Sequence, residues 1–486
     1  MSPGIGDSIA LSATGTAQIA ASKRRKKGIA PSAPKDTAII SAGHEETGRI
    51  QKSRASRQSS TVAASSSPAV PSSANLKEWN VMIYMAADNN LEEYMTTNVV
   101  DMERVGSSDK MNVLVELDRG EYPTPIAGGW KGARRYRIEK DDDHKNINSP
   151  VAQDLGRVDM SDPAHLTDFL VWGMKNYPAK HHLLILNDHG GGFVGAIEDD
   201  DTGGGRLMKI SAIAKAMEEA EKITGQKIEV VSFDACLMGQ TEVAYELRSV
   251  SDILLASEEL IGGTGMAYGE VLGLPVTKAV CDAMAGIQKL LSKKGRLSAE
   301  ECVSAIVENT KHHQDTTPTM SAVRLGTYVE GIAKESDKLA KALIKSVDMK
   351  RTSPEVFLNI LKESQQFCKD APFLKPYGDY RDLYDIGSRL IKDPRITDPV
   401  VKEAAKTLLD NIQVSIVAQQ SADNNYKDAH GFSIYAPTGG GSDYGYSETA
   451  FAADTAWDDL FKKIGKMDPK APKPLLMPPP FLGGTK

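Results

Sequence analysis

The order of apolar and polar residues predicts an alternation of strands and helices in the first half of the chain. Five short apolar runs predict strands at 79–86, 112–118, 182–188, 229–235 and 252–259. Amphipathic patterns predict helices at 91–105, 162–177, 211–224, 240–250 and 450–465. Ser161 and Ser211 stand where they can cap the second and third helices. Several strand runs are apolar throughout, which is typical of strands covered on both faces, so the pattern predicts a mostly parallel central sheet with helices on both faces.

The composition changes along the chain and predicts four regions. Residues 1–76 are rich in Ser, Ala and Pro and form a basic arm that we predict to be disordered. An α/β domain over 77–275 and a largely helical region over 276–465 follow, and a proline-rich tail occupies 466–486. A late strand at 431–437 either completes the first sheet or belongs to a separate unit, and the pattern is consistent with both.

Charge is divided unevenly between the arm and the rest of the chain. Residues 1–76 carry ten Lys or Arg and four Asp or Glu, and since the whole chain has a net charge of −7, the remainder carries −13. An acidic body repels nucleic-acid phosphates, so we predict no nucleic-acid partner. The basic run KRRKK at 23–27 is predicted to be a solvated patch, with an address signal or an anion contact as the alternative.

Several classes of protein are disfavoured by what the chain lacks. No apolar run approaches the roughly 18–20 residues that a membrane-spanning helix needs. The first residues lack the charged start and apolar stretch of a secretory signal, which leaves the compartment open. Four cysteines at irregular spacings without a C-x-x-C pair predict neither a disulfide framework nor a zinc site.

Two residues whose side chains could take part in catalysis directly follow predicted strands. His189 ends the stretch HHLLILNDH before three glycines, and Cys236 stands in IEVVSFDACLMG. Ligands of open parallel sheets bind at the carboxyl ends of the strands, so the two side chains are predicted to share one crevice. Their spacing, 47 residues, is close to the roughly 50 that separate histidine from cysteine in caspase-type enzymes.

These two residue types suit a nucleophile and its acid–base partner. Cys236 precedes a predicted helix, whose dipole and unpaired amides favour a thiolate, so its pKa is predicted to be lowered. His189 would act as general acid and base, and the amides of Gly190 and Cys236 would form an oxyanion hole. The alternatives are a turn histidine and a small buried cysteine.

Several segments, in order, resemble the clostripain family of cysteine peptidases, which is grouped with the caspases and gingipains. The resemblance extends from about residue 77 to 465 and rests on WNVMIYMAADNNLE (79–92), NDHGGGFVGAIEDD (187–200), SFDACLMGQTEVAYEL (232–247), ASEELIGGTG (256–265), GFSIYAP (431–437) and FAADTAWDDL. It implies a caspase-like α/β fold, a dyad of His189 and Cys236, and hydrolysis of peptide bonds after Arg or Lys.

The resemblance also directs attention to substrate selectivity. Asp234 lies two residues before Cys236, and so on the same side of an extended strand, where its carboxylate can pair with a guanidinium or an ammonium. Its alternative role is to cap the following helix. Family members can carry a second acidic residue in the pocket, but LIGGTGMAYG (260–269) has no acid before Glu270. Basic selectivity is therefore expected to be weaker than in clostripain, or altered.

Self-cleavage between the histidine and the cysteine is a further property that the resemblance implies. The connecting segment carries Arg206 and Lys209 beside a glycine run that is predicted to be flexible and exposed. Cleavage after either residue is the hypothesis.

The chemistry of a cysteine peptidase requires no cofactor, but resemblance to clostripain makes calcium a candidate ligand. Asp199, Asp200 and Asp201 are the weak candidates for its site. Ca²⁺ needs about six to eight oxygens, which consecutive aspartates do not supply by themselves, so a solvated acidic loop is the alternative.

The leading hypothesis is thus a cysteine endopeptidase acting on peptides and proteins. The alternative is a non-catalytic homologue that binds peptides or partner proteins through the same crevice. A nucleotide-binding domain is disfavoured, because GGTGMAYG does not fit G-x-G-x-x-G and the chain has no P-loop lysine motif.

Overall fold

The computed structural model describes residues 76–262, 279–311, 314, 316–369, 376–422, 425–468 and 470–471. The basic arm with KRRKK, the glycine segment 263–278 and most of the proline-rich tail lie outside these ranges. The predictions made for those three parts of the sequence therefore remain predictions.

The main sheet has nine strands, which are β1 (Lys77–Ala87), β2 (Met111–Arg119), β3 (Gly132–Arg137), β4 (Val151–Gly156), β5 (Ala179–Asn187), β6 (Val230–Asp234), β7 (Ile253–Ala256), β8 (Thr319–Arg324) and β10 (Ile416–Ser421). Their order across the sheet is β10-β8-β7-β6-β5-β1-β2-β3-β4. The five central strands, β2-β1-β5-β6-β7, are parallel. Both edges of the sheet are antiparallel.

The central strands explain the apolar runs of the sequence. From Trp79 to Ala87 every residue of β1 is buried, which means that both faces of the strand are covered. All five strands predicted from the apolar runs are present, and the caspase-like, mostly parallel sheet is confirmed. The apolar pattern succeeded because a doubly covered strand has no solvent-facing positions to interrupt it.

Twelve helices lie in the described ranges. They are α1 (Glu92–Glu103), α2 (Pro163–Asn176), α3 (Ile210–Thr224), α4 (Thr241–Leu247), α5 (Ala279–Lys294), α6 (Ala299–Thr310), α7 (Thr327–Asp348), α8 (Pro354–Glu363), α9 (Leu383–Lys392), α10 (Pro399–Ser415), α11 (Ala450–Asp454) and α12 (Trp457–Lys463). Within the described ranges, every helix is too short or too polar to span a lipid bilayer.

Some local details of the helices differ from the predictions. Asp162, not Ser161, caps α2, because its carboxylate accepts a hydrogen bond from the amide of Ala164. The N-cap of α3 is Lys209, which makes no side-chain cap bond, and Ser211 lies inside the helix. The closing helix predicted at 450–465 is divided into α11 and α12, since Thr455 between them is extended.

The region after residue 276 contributes to the same sheet as the region before it. Strands β8 and β10, which the sequence pattern did not predict, extend the sheet beyond β7. The late strand is β11 (Ser433–Tyr435), and it pairs with β9 (Tyr380–Asp382) in a separate two-stranded sheet. Ser433 also bridges to Gln240, just before α4. The two-stranded sheet therefore packs beside the carboxyl end of β6.

Candidate active site

The register of β5 against β6 brings His189 and Cys236 to the same edge of the sheet. Asn187 is paired with Asp234 at the end of the two strands, and the amide of Asp188 still donates to the carbonyl of Asp234 at 3.3 Å. His189 lies two residues after Asn187, and Cys236 lies two residues after Asp234. Their spacing of 47 residues is therefore the offset between the two strands.

The glycines after His189 are required by close packing. A Cβ on Gly190 would lie 2.7 Å from the carbonyl oxygen of Cys236 and 2.9 Å from the Cβ of Ala235. A hairpin follows, in which Gly191 N–H donates to Gly195 and Ile197 N–H donates to His189. These bonds flank Gly190 and do not use its amide, which is consistent with the predicted role of that amide as an oxyanion donor.

Cys236 is buried in the intact chain, with 4% of its surface exposed. Its Sγ accepts a hydrogen bond from the Ile261 amide at 3.3 Å, and the thiol faces the Ile261 carbonyl at 3.4 Å. Burial raises the pKa of the thiol to about 12. The lowered pKa predicted from sequence is wrong for this state, because desolvation outweighs a helix that begins only at Thr241.

His189 is oriented by a residue from the end of β1. Its Nε2 lies 2.9 Å from Oδ1 of Asn90, to which it can donate a hydrogen bond. Burial lowers the pKa of His189 to about 4. Both members of the predicted dyad are therefore neutral at physiological pH in this form of the protein.

Side chains from distant parts of the chain cover the crevice. A Cβ on Gly191 would lie 3.0 Å from Cε1 of Tyr377 and 3.4 Å from Cδ1 of Leu207, so both side chains rest on the glycine loop. The carboxylate of Glu259 accepts a hydrogen bond from the Cys368 amide at 3.0 Å. This bond joins the segment around Cys368 to the residues after β7 that cover Cys236.

Asp234 lies at the carboxyl end of β6 as predicted. Its carboxylate accepts a hydrogen bond from the side-chain amide of Asn187 on the neighbouring strand. Only 3% of the residue is exposed. Asp234 does not serve as the cap of α4, since the N-cap there is Gln240.

The two predicted cleavage points differ in their surroundings. Arg206 is exposed and follows Gly204 and Gly205, which both have positive φ angles. Lys209 is exposed too, but its carbonyl accepts the amides of Ala212 and Ile213 at the start of α3. Met208, just before Lys209, is paired with the hairpin that follows His189. The chain around Arg206 is thus the less constrained of the two.

The acidic run contributes one residue to a carboxylate cluster. Carboxylate oxygens of Asp88, Asp118 and Asp199 lie within 4.8 Å of one another. Asp200 is exposed, and Asp201 accepts a hydrogen bond from the amide of Glu121 instead. Burial and the neighbouring carboxylates raise the pKa of Asp118 to about 8. Three residues from separate segments therefore form the cluster, which differs from the predicted run of consecutive aspartates.

Sequence reasoning missed the residues that the neighbouring strands contribute. Asp88 and Asn90 follow β1, which lies beside β5, and Asp118 is near the end of β2, which lies beside β1. The rule that strand ends carry the site holds for β1 as well as for β5 and β6, and the polar residues of MAADNN after β1 are the sequence signal for Asn90.

The chain is similar to known proteins in both sequence and fold. A sequence model of the clostripain family (peptidase C11) matches residues 83–464. Clostripain from Hathewaya histolytica is 23% identical over 400 residues, which is 74% of each chain.

Two crystal structures of peptidases share the fold. A secreted C11 cysteine protease from Bacteroides thetaiotaomicron, bound to an irreversible peptide inhibitor, is 17% identical, with a TM-score of 0.55 over 79% of this chain and 100% of that one. An inactive zymogen C11 protease from Parabacteroides distasonis is also 17% identical, with a TM-score of 0.53 over 79% of this chain and 99% of that one. At this identity the two structures support the fold, and the family match covers most of the sequence. The chain belongs to the clostripain family of cysteine peptidases.

Proposed function

We propose that the chain is an endopeptidase that hydrolyses peptide bonds after Arg or Lys, with Cys236 as the nucleophile and His189 as the acid–base group. The observation that carries the proposal is the register of β5 and β6, which brings both side chains two residues beyond one strand pair. The buried carboxylate of Asp234 at the same edge supports a basic substrate side chain.

The proposed reaction uses these groups in sequence. With Nε2–H donated to Asn90, the neutral imidazole presents Nδ1 as its base and takes the thiol proton. The thiolate attacks the carbonyl carbon, and the amides of Gly190 and Cys236 stabilise the oxyanion. His189 then protonates the leaving amine, and a water that His189 deprotonates hydrolyses the thioester.

The pKa values of the intact chain describe a resting state. Cys236 keeps its proton up to about pH 12, and His189 is protonated only below about pH 4. A thiolate–imidazolium pair is strongly disfavoured while both groups are buried. Because burial causes both changes, removal of the covering segments brings the two pKa values toward each other and allows the proton transfer.

Hydrolysis of matched fluorogenic peptides tests the proposed function. Peptides with Arg or Lys before the cleaved bond are expected to be hydrolysed by the processed protein, and peptides with Ala or Asp at that position are not. The measurement is kcat/KM for the four peptides. Absence of turnover for all four, in both intact and nicked protein, would favour a binding homologue, which the burial of Cys236 makes the second candidate.

Self-cleavage is proposed to occur after Arg206 and not after Lys209. An Arg206→Ala variant is expected to remain a single chain, because the Lys209–Ile210 bond is held by the start of α3 and by the pairing of Met208. Lys209→Ala is the matched control and is expected to process normally. N-terminal sequencing of the smaller fragment reads out the site, and a fragment that begins at Ile210 would contradict the proposal.

Calcium is proposed to bind between the carboxylates of Asp88, Asp118 and Asp199, where it would offset their mutual repulsion. Asp118 has a raised pKa in the folded chain, so without a cation its contribution to stability decreases as pH rises from about 4 to about 8. The increase in Tm on adding Ca²⁺ is therefore expected to grow over that range. Asp118→Asn should raise the Tm of the calcium-free protein and remove the response, whereas Asp200→Asn should change neither. An equal response to Ca²⁺ in Asp118→Asn would exclude this site.

A further inference from the structure

A cavity of about 330 Å³ lies beside the glycine loop that follows His189. Phe193 from the loop forms part of its wall, and Arg206 and Leu207, on the two sides of the proposed cleavage point, form another part. Glu242 and Glu448 also line the cavity. The wall thus combines a segment of the active site, the segment to be cleaved and acidic side chains.

Glu242 is the one of these carboxylates that is fully buried, with 0% of its surface exposed. Its Oε1 accepts hydrogen bonds from the Tyr435 amide at 3.0 Å and from the Tyr446 hydroxyl at 2.7 Å. Its Oε2 has no hydrogen-bond partner among the described residues. A buried carboxylate oxygen without a donor is costly, so a donor at this position would be stabilising.

Glu242 is buried without a neighbouring cation among the described residues that would stabilise its charged form. Burial raises the pKa of this carboxyl to about 7, although the hydroxyl of Tyr446, the Tyr435 amide and the residue's own backbone amide act in the opposite direction. The described residues provide two cations at the cavity wall, Arg206 and Lys209. Lys209 is paired with Glu448 at 3.0 Å and not with Glu242.

Hydrolysis of the Arg206–Leu207 bond would create such a donor at the cavity itself. One water adds across the peptide bond, and Arg206 becomes a carboxylate terminus while Leu207 becomes an ammonium terminus. The ammonium carries one positive charge and three N–H donors. Leu207 lines the cavity in the intact chain, so the new ammonium would form at the cavity wall.

The cavity also has a physical connection to the dyad. The Phe193 ring packs against the ring of Tyr446, with centroids 5.1 Å apart, and Tyr446 is the residue that hydrogen-bonds Glu242. The Phe193 amide donates to Oε1 of Gln240 at 2.5 Å. Three glycines are all that separate Phe193 from His189. A charge that enters the cavity would therefore lie beside side chains that contact the glycine loop after His189.

We propose that the cavity is the binding site of the new N-terminus, with the ammonium group of Leu207 paired to Oε2 of Glu242 after cleavage. The inference rests on the proposed self-cleavage after Arg206. It assigns Glu242 the role of a positioning residue that connects cleavage after Arg206 to the glycine loop after His189. It also gives Leu207 a new position, since in the intact chain its side chain rests on Gly191.

Carbamylation, in which only an uncharged amine attacks the carbon of isocyanic acid formed from cyanate, tests the proposal on the full-length processed protein. A docked ammonium has a raised pKa, and each unit of increase lowers the labelling rate about tenfold. Mass spectrometry compares labelling of the Leu207 terminus in the folded protein with that of a synthetic peptide of residues 207–215. Labelling at least about tenfold slower than in the peptide is expected, and equal rates would overturn the proposal.

Variants identify the acceptor. Glu242→Gln is expected to raise the labelling rate toward that of the peptide, while Glu219→Gln on the exposed face of α3 is the matched control and should stay protected. Protection that persists in Glu242→Gln would remove Glu242 from the site. The comparison of wild type with the peptide does not depend on the folding of either variant.

A Cys236→Ala chain cut with trypsin separates this inference from the proposed function. If the wild type does not cleave itself but the trypsin-cut chain shows a protected Leu207, the proposed self-cleavage fails and the binding site stands. If the wild type cleaves itself and Leu207 is labelled like the peptide, the binding site fails and the peptidase stands.

Discussion

Replacement of Cys236 by alanine is expected to lower hydrolysis of an Arg peptide by at least about 10³-fold, because removal of the nucleophile from a catalytic unit can lower kcat by up to about 10⁶-fold. Without the thiol no thioester forms, and the remaining groups can only bind and polarise the substrate. Because the variant cannot process itself, variant and wild type are compared as trypsin-cut chains, with trypsin inhibited before the assay. The measured quantity is kcat/KM.

The control for this experiment is a second buried cysteine. Burial raises the pKa of Cys302 on α6 to about 12 as well, but the residue is remote from the carboxyl ends of β5 and β6. Cys302→Ala is expected to keep wild-type turnover. Equal activity of the cut Cys236→Ala chain and wild type would exclude Cys236 as the nucleophile and would leave the crevice as a binding site.

Replacement of Asp234 by asparagine is expected to lower kcat/KM for Arg and Lys peptides by about 10²–10³-fold, because a buried guanidinium or ammonium would lose its counter-charge. Asparagine keeps the size of the side chain and an oxygen that can accept the hydrogen bond from Asn187. The loss is expected to be confined to cationic peptides. Hydrolysis of a peptide with Gln at the same position should be unchanged or increased.

A carboxylate at the opposite end of the same strand controls for general effects of charge removal. Glu229 precedes β6 and pairs with His181 at 2.7 Å. Glu229→Gln is therefore expected to leave the ratio of Arg to Gln turnover as in wild type. A ratio that stays unchanged in Asp234→Asn would remove Asp234 from the substrate pocket. Together, the ratios of Arg to Gln turnover in the two variants distinguish a loss of specificity from a general loss of stability.

The intact chain and the processed chain are expected to differ mainly in desolvation. Cys236, His189 and Glu242 are all buried, and burial disfavours the charged form of each. Each of these groups needs its charged form at some stage of the proposed activity. The proposed cleavage after Arg206 would supply a new ammonium and free the segment that rests on Gly191. In the proposed activation, the fold stays the same, but the set of charged groups that it can stabilise changes.

The sequence predicted the part of the protein that depends on short-range pattern. Uninterrupted apolar runs identified the five parallel strands, because strands buried on both faces have no exposed positions. The offset of His189 and Cys236 predicted their proximity, because in-register parallel strands end at one edge of the sheet. Most predicted strands and helices agree with the structure to within a few residues. The disagreements are caps such as Ser161, the closing helix, which is divided into α11 and α12, and strands such as β8 and β10, which the pattern did not predict.

Tertiary structure alone decided the features that depend on contacts between distant segments. Hydrogen bonds join Glu242 to Tyr446 over 204 residues and His189 to Asn90 over 99, and no local periodicity encodes either pair. The same is true of the cluster that Asp199 forms with Asp88 and Asp118. The pKa of the Cys236 thiol also depends on tertiary structure, because it is determined by how completely packing excludes water from the sulfur. Local pattern determines which residues stand at a strand end, whereas packing determines which of them are buried together and which charges they can hold.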